Sequence, residues 1–234
     1  MKTVLILGAS SDIGVEITKL FLLKKFKVIA HYNSNIAMLK KIKSKQLRLF
    51  KFDLLKIHNF EKYVKKNKFF NKIDIFISLT GYLKIKELPQ ANINDFYNHI
   101  NVNYLSNFIL TKKIIGNMQK KNWGRILYAS SIGTKFGGSK NSFIYSLSKF
   151  MNEFFPKPLR NLNKKNILIN TLKIGLTNTK LNKVDKNKNM KKRIKLIPLG
   201  RMASTYEVTQ YIYFLASEEN SLITNETINI SGGE

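Results

Sequence analysis

The sequence predicts an α/β fold built on one doubly wound parallel sheet with helices on both faces. Short apolar runs alternate with amphipathic helical stretches from residue 3 to residue 230. The runs are apolar without alternation, as strands buried on both faces are. The first run breaks at a glycine turn, Gly8-Ala9-Ser10-Ser11-Asp12-Ile13-Gly14, that opens a helix. At 234 residues the chain is expected to form one domain with a substantial core.

Thr3–Leu7 is the first expected strand, and a helix follows from Ile13 to Lys24. A strand, small-residue turn and helix in this order suit a dinucleotide. Absent side chains let backbone approach the pyrophosphate, and the helix N-terminus carries partial positive charge. The same junction also occurs as a plain strand–helix turn with no ligand. Phe26–His31 is the second strand, ending in His31-Tyr32-Asn33-Ser34-Asn35. An acid there would bind the ribose 2′-hydroxyl of NAD and repel the extra phosphate of NADP. None is present, which favours NADP(H) over NAD(H), although no arginine stands ready for the phosphate. A helix over Ile36–Lys45, a strand over Leu47–Phe52 followed by Asp53, a helix over Leu55–Asn67 and a strand over Ile73–Ser78 continue the alternation. Right-handed crossovers then distribute the helices to both faces.

A long helical stretch runs from Ile93 to Lys121 with Asn103 inside it. Asparagine within a helix is mildly unfavourable and ordinarily faces solvent. The strand Arg125–Ser130 delivers Ser130 and Ser131 to its carboxyl end, where open α/β sheets bind ligands. Tyr145-Ser146-Leu147-Ser148-Lys149 follows. On a helix, Tyr145 and Lys149 share a face, and an ammonium beside a phenol favours phenolate, drawing its pKa down from about 10. In a lysine-rich chain such a pair also arises as a surface coincidence. Pro156 and Pro158 predict a helix end or kink near Phe155. Ile167–Leu172 is a further strand, and Ser204–Ser217 and Thr227–Ile230 close the fold as helix and strand. Between Leu172 and Ser204, Lys180–Lys195 holds eight basic residues in sixteen. It is either a solvated loop or a basic lid, about residues 176–197, over an anionic substrate.

The net charge of +27 raises the question of nucleic acid. The chain has 36 lysines against 5 arginines, with 26 asparagines and 28 isoleucines. Arginine is the residue of bidentate phosphate and base recognition. Lys, Asn and Ile rising together look like an AT-rich coding bias, so no nucleic-acid partner is expected. No cysteine is present, which excludes disulfide and thiolate chemistry. His31, His58 and His99 lack ligand spacing, so no metal site is expected. No apolar run approaches the roughly 18 residues of a membrane span, and the cytoplasm is the expected compartment.

These motifs, in this order, resemble the short-chain dehydrogenase/reductase family over essentially the whole chain, with the closest likeness to the bacterial 3-oxoacyl-acyl-carrier-protein reductase group. Gly8–Gly14 is similar to the family's TGxxxGxG turn, with Leu7 for the threonine and Asp12 for the middle glycine. Ser78-Leu79-Thr80-Gly81 occupies the family's Asn-Asn-Ala-Gly position and keeps its glycine. Asn103, Ser131, Tyr145 and Lys149 match the catalytic set, with the serine–tyrosine interval one residue longer than usual. Ile174-Gly175 falls on the Pro-Gly turn. Ile197-Pro198-Leu199-Gly200-Arg201, Phe214-Leu215-Ala216-Ser217 and Ile230-Ser231-Gly232-Gly233 resemble the tail of the reductase group.

The resemblance implies a Rossmann-type fold and an NADP(H)-dependent oxidoreductase that interconverts a ketone and a secondary alcohol. It implies cofactor contacts from Gly8, Ser10, Ser11, Asp12, Ile13, Gly14, Asn33, Asp53, Leu54, Gly81, Tyr145, Lys149, Gly175, Thr177 and Thr179. Asp53 would meet the adenine ring, and Thr179 the nicotinamide carboxamide. Tyr145 would donate the proton, Ser131 would hydrogen-bond the developing alkoxide, and Lys149 would lower the tyrosine pKa and bind the nicotinamide ribose. Asn103 would hold a water that resupplies the proton. The implied substrate is a 3-oxoacyl thioester on an acidic carrier protein. A sugar or nucleotide sugar is the alternative within the enzyme class, and a non-catalytic dinucleotide-binding protein is the alternative outside it. A homodimer or homotetramer is expected, with Pro156 and Pro158 interrupting a helix that normally continues into the dimer interface.

Overall fold

Seven parallel strands form one sheet in a computed structural model that describes residues 1–183 and 189–234. They are β1 (Thr3–Leu7), β2 (Lys27–Tyr32), β3 (Leu47–Lys51), β4 (Ile75–Ser78), β5 (Gly124–Ser131), β6 (Ile167–Ile174) and β7 (Thr227–Ile230). Their spatial order is β3-β2-β1-β4-β5-β6-β7, the doubly wound topology expected from the sequence. The order reverses between β1 and β4, which pair in register from Val4 with Ile75 to Leu7 with Ser78. A crevice therefore opens beyond their carboxyl ends.

Alternate residues of each strand feed two cores. Leu5 and Leu7 pack with Phe60, Phe76, Leu110 and Ile114 on one face. Val4 and Ile6 pack with Ile17, Phe21, Val208 and Ile212 on the other. The first face is covered by α3 (Ile57–Lys66) and α5 (Ser106–Lys121), and the second by α1 (Asp12–Leu23) and α9 (Thr205–Ala216). Among the described residues no helix is long and apolar enough to cross a membrane.

Two expected helices differ from the structure. Ile36–Lys45 shrinks to a single turn, α2 (Ala37–Lys40). Asn35 Oδ1 accepts from Ala37 N at its start at 3.1 Å, but only Leu39 within it is buried, so packing does not extend it. The Ile93–Lys121 stretch is α4 (Ile93–Ile100), a π-helical turn at Asn101–Leu105, and then α5. Asn103 sits in that turn fully buried rather than facing solvent. Its carbonyl oxygen accepts from the side-chain amides of Asn107 at 3.1 Å and Asn152 at 2.9 Å. Asn107 Oδ1 also accepts from Ser78 Oγ at 2.5 Å, and Asn107 donates to Asn152 Oδ1 at 2.8 Å. This buried ladder ties β4, α5 and the helix after Tyr145 together at the position the family gives to Asn-Asn-Ala-Gly.

The break expected near Phe155 is present. α6 (Phe143–Phe150) tightens into a 3-10 turn at Met151–Glu153, and Pro156 precedes α7 (Lys157–Arg160). On the floor of the sheet, away from the crevice, buried Arg125 donates to the carbonyls of Gly124, Asn166, Ser217 and Asn220. Of the expected basic lid, residues 184–188 lie outside the described residues. α8 (Met190–Lys195) follows them.

Candidate active site

The glycine turn leaves β1 at Gly8, whose φ of +78° is the left-handed region open to glycine. Ser11 caps α1: its Oγ accepts from Gly14 N at 3.1 Å and donates to the Gly8 carbonyl at 2.9 Å. A Cβ on Gly14 would lie 2.6 Å from the Gly8 oxygen and 2.7 Å from Ala9 backbone, so the missing side chain is what lets helix and turn meet. The N–H groups of Asp12 and Ile13 find no acceptor among the described residues, and they stand at the positive end of the helix. This donor set fits the pyrophosphate of a dinucleotide.

His31 holds the turn from β2. Gly8 N–H donates to its Nδ1 at 3.2 Å, and its Nε2 lies 3.0 Å from the Phe52 carbonyl, so a neutral imidazole protonated on Nε2 satisfies both. Sequence reading took His31 only as a strand end. Burial pushes its pKa down from 6.5 to about 4. The unfolded chain therefore binds this proton first, and stability contributed by neutral His31 is complete above pH 6.5 and is lost as pH falls toward 4. The loss is expected to reach about 2 kcal/mol by pH 5. His31→Gln, which keeps one acceptor and one donor, should flatten that part of a pH series of denaturant midpoints.

Asp12 is the first residue of α1 and does not act as its cap. One carboxylate oxygen accepts from Lys180 N at 2.7 Å, joining the glycine turn to the loop after β6. The pyrophosphate donors and this carboxylate thus share one end of the crevice.

A cleft of about 1230 Å³ runs from the glycine turn across the strand ends. Gly8, Ser10, Ser11, Asp12, Ile13, Asn33, Asp53 and Leu54 line one end, and Gly81, Ser131, Tyr145, Lys149, Gly175, Thr177 and Thr179 line the rest. Two expected residues stand behind the wall. Gly14 is buried inside the turn. Asn103 accepts from Tyr82 N at 2.7 Å and donates to the Tyr82 carbonyl at 3.0 Å and to Ser148 Oγ at 2.9 Å. Its side chain is therefore committed to fixing the loop after β4 and the helix that carries Tyr145.

α6 does place Tyr145 and Lys149 on one face toward the cleft, Lys149 buried and Tyr145 half-buried. Lys149 Nζ donates to the Thr80 carbonyl at 2.8 Å. Burial pushes the Lys149 pKa down to about 7, opposed by the charge of Glu153. Tyr145 departs from expectation. Burial pushes its pKa up to about 12, opposed by a hydrogen bond from Ser131. Spacing alone suggested that the ammonium would dominate; in the interior, desolvation disfavours both charged forms. The phenol is thus protonated at neutral pH, the state a proton donor needs.

Apolar side chains that sequence reading did not single out form the outer wall: Leu83, Ile85, Phe136 and Leu196. They come from three separate segments, Leu83 and Ile85 from the loop after β4, so no local period announces the set.

A family model described as short chain dehydrogenase matches residues 2–190. The 3-oxoacyl-acyl-carrier-protein reductase of Aquifex aeolicus is 33% identical over 162 residues, spanning 69% of this chain and 65% of the relative. The reductase of the same name from Buchnera aphidicola of Schizaphis graminum is 30% identical over 240 residues, spanning 99% of this chain and 96% of the relative. A solved structure titled ElxO with NADP bound superimposes with a TM-score of 0.85 at 25% identity, covering 99% of this chain and 98% of that one. The parallel sheet, the glycine turn at its switch point and the match over residues 2–190 agree: the chain belongs to the short-chain dehydrogenase/reductase family of oxidoreductases acting on carbonyl and alcohol groups.

Proposed function

We propose that the protein is an NADP(H)-dependent ketone reductase whose proton donor is Tyr145 and whose substrate is a 3-oxoacyl thioester carried by an acidic protein. One observation carries the reading: Tyr145, Lys149 and Ser131 line one wall of the cleft that begins at the glycine turn, with Tyr145 and Lys149 one helical turn apart. A bound nicotinamide dinucleotide supplies the hydride. Its pyrophosphate would be held by the first turn of α1, its adenine end by Asp53 and Leu54, and its nicotinamide end by Gly175, Thr177 and Thr179. Tyr145 gives its proton to the oxygen of the reduced carbonyl, and Ser131 donates to the same oxygen as charge develops there. Lys149, on the same face, replaces the tyrosine proton.

Asn33 in place of an acid at the end of β2 supports NADP(H) over NAD(H). The apolar wall of Leu83, Ile85, Phe136 and Leu196 supports an acyl chain over a sugar, whose hydroxyls need polar partners. Lys140, Lys180 and Lys192 line the same cleft and suit an acidic carrier. Self-association through the exposed apolar residues Phe108, Leu147, Phe150 and Phe154 fits the same family reading. Turnover of acetoacetyl-CoA with NADPH, at least about tenfold faster in kcat/KM than with NADH, is the expected result. Dinucleotide binding with no turnover of any 3-oxoacyl thioester would remove the substrate assignment.

A further inference from the structure

Glu153 has no part in the reaction as described, yet it is built into the site. It closes the 3-10 turn that follows α6, and its side chain is 8% exposed. One carboxylate oxygen lies 2.5 Å from Ser130 Oγ and 2.7 Å from Thr134 Oγ1, so both hydroxyls donate to it. The other lies 2.9 Å from Lys173 Nζ of β6, itself 14% exposed. Ser130 and Thr134 flank Ser131, and Thr134 Oγ1 is also 2.9 Å from the Ser131 carbonyl. Lys149 precedes Glu153 by four residues, and Ser130 Oγ is 3.4 Å from its carbonyl. The carboxylate thus grips the serine loop on both sides while its charge bears on the lysine below.

We propose that Glu153, braced by Lys173, is a positioning residue that fixes the Ser131 loop and keeps Lys149 charged for proton delivery. The proposal rests on the reading of Tyr145 and Lys149 as the proton path. Burial alone would strip Lys149 of its proton, and a nearby negative charge opposes that loss. Tyr145 lies one turn before Lys149 on the same helix, and Glu153 is the charged group that bears on the lysine. Lys173 faces Glu153 from β6 and draws on the same carboxylate. Removing Lys173 would leave the carboxylate unopposed, so the two members of the ion pair are expected to act on Lys149 with opposite signs. A purely structural brace has no such property: loss of either partner would loosen the loop in the same way.

The test follows lysine titration in the full-length chain by NMR of Cε-labelled lysine. The Lys149 resonance is the one titrating near neutrality that Lys149→Met removes, since ordinary lysines titrate near 10.4. Glu153→Gln keeps an oxygen to accept from both hydroxyls but removes the charge, and is expected to move the Lys149 midpoint down by about 1 pH unit. Lys173→Met is expected to move it up. The alkaline limb of acetoacetyl-CoA reduction should move with it in each variant. An unchanged midpoint in Glu153→Gln, or shifts of the same sign in both variants, would overturn the proposal. Should Glu153→Gln fail to fold, the direction of the Lys173→Met shift decides alone. Because the NMR midpoint needs no turnover, opposite shifts without reductase activity would strike the functional reading and spare this one.

Discussion

Tyr145→Phe is expected to cut kcat for ketone reduction about 10³-fold while dinucleotide affinity stays within about twofold. The substitution removes one hydroxyl from a half-buried ring and leaves the packing of α6 in place. No other acid is set to replace it. Ser131 donates to the same oxygen but is a far weaker acid than a phenol, and Lys149 passes its proton through the phenol that the substitution removes. Steady-state NADPH oxidation measures the first quantity, and nicotinamide fluorescence on titration measures the second. Retention of more than about a tenth of kcat would take the phenol out of the mechanism.

Gly14→Ala is expected to destabilise the protein by about 3 kcal/mol and to abolish measurable dinucleotide binding. Alanine is ordinarily a better helix residue than glycine by up to about 1 kcal/mol. Here its methyl would enter the space of the Gly8 carbonyl and the Ala9 backbone, at 2.6 and 2.7 Å. Backbone cannot rotate aside as a long side chain can, so α1 must lift from the turn. That movement carries the N–H groups of Asp12 and Ile13 away from any bound phosphate. Urea midpoints and the same fluorescence titration check both halves. A stable variant with intact affinity would show that the turn tolerates the separation and that the phosphates sit elsewhere.

Much of this architecture was legible in the residues. Buried strands such as Val4–Leu7 and Ile75–Ser78 carry their signal locally, because a wholly apolar run bounded by turn residues has few other uses. Tyr145 and Lys149 were readable from helical spacing, and Gly8–Gly14 from its place after a strand. The charge states were not. Spacing says that an ammonium is near a phenol, but burial of both groups is a property of the assembled fold, and it reverses the expected direction for Tyr145. Asn103 shows the same limit. Its partners Tyr82, Ser148 and Asn152 come from other segments, so nothing within Asn101–Leu105 announces a π turn. Glu153 and His31 were passed over for the same reason: each looks ordinary until the strands beside it are known.

Arg125 bears on how far lysine can replace arginine in a chain with 36 of one and 5 of the other. Beneath the sheet its guanidinium spans the carbonyls of Gly124, Asn166, Ser217 and Asn220, joining the base of β5 to the end of α9. Burial pushes its pKa down to about 10, still far above neutrality, so the group stays charged without a buried carboxylate for company. A lysine offers three protons from a single nitrogen and cannot reach across that width. Whatever pressure enriched this chain in lysine, the planar fork marks a site where its chemistry has no substitute.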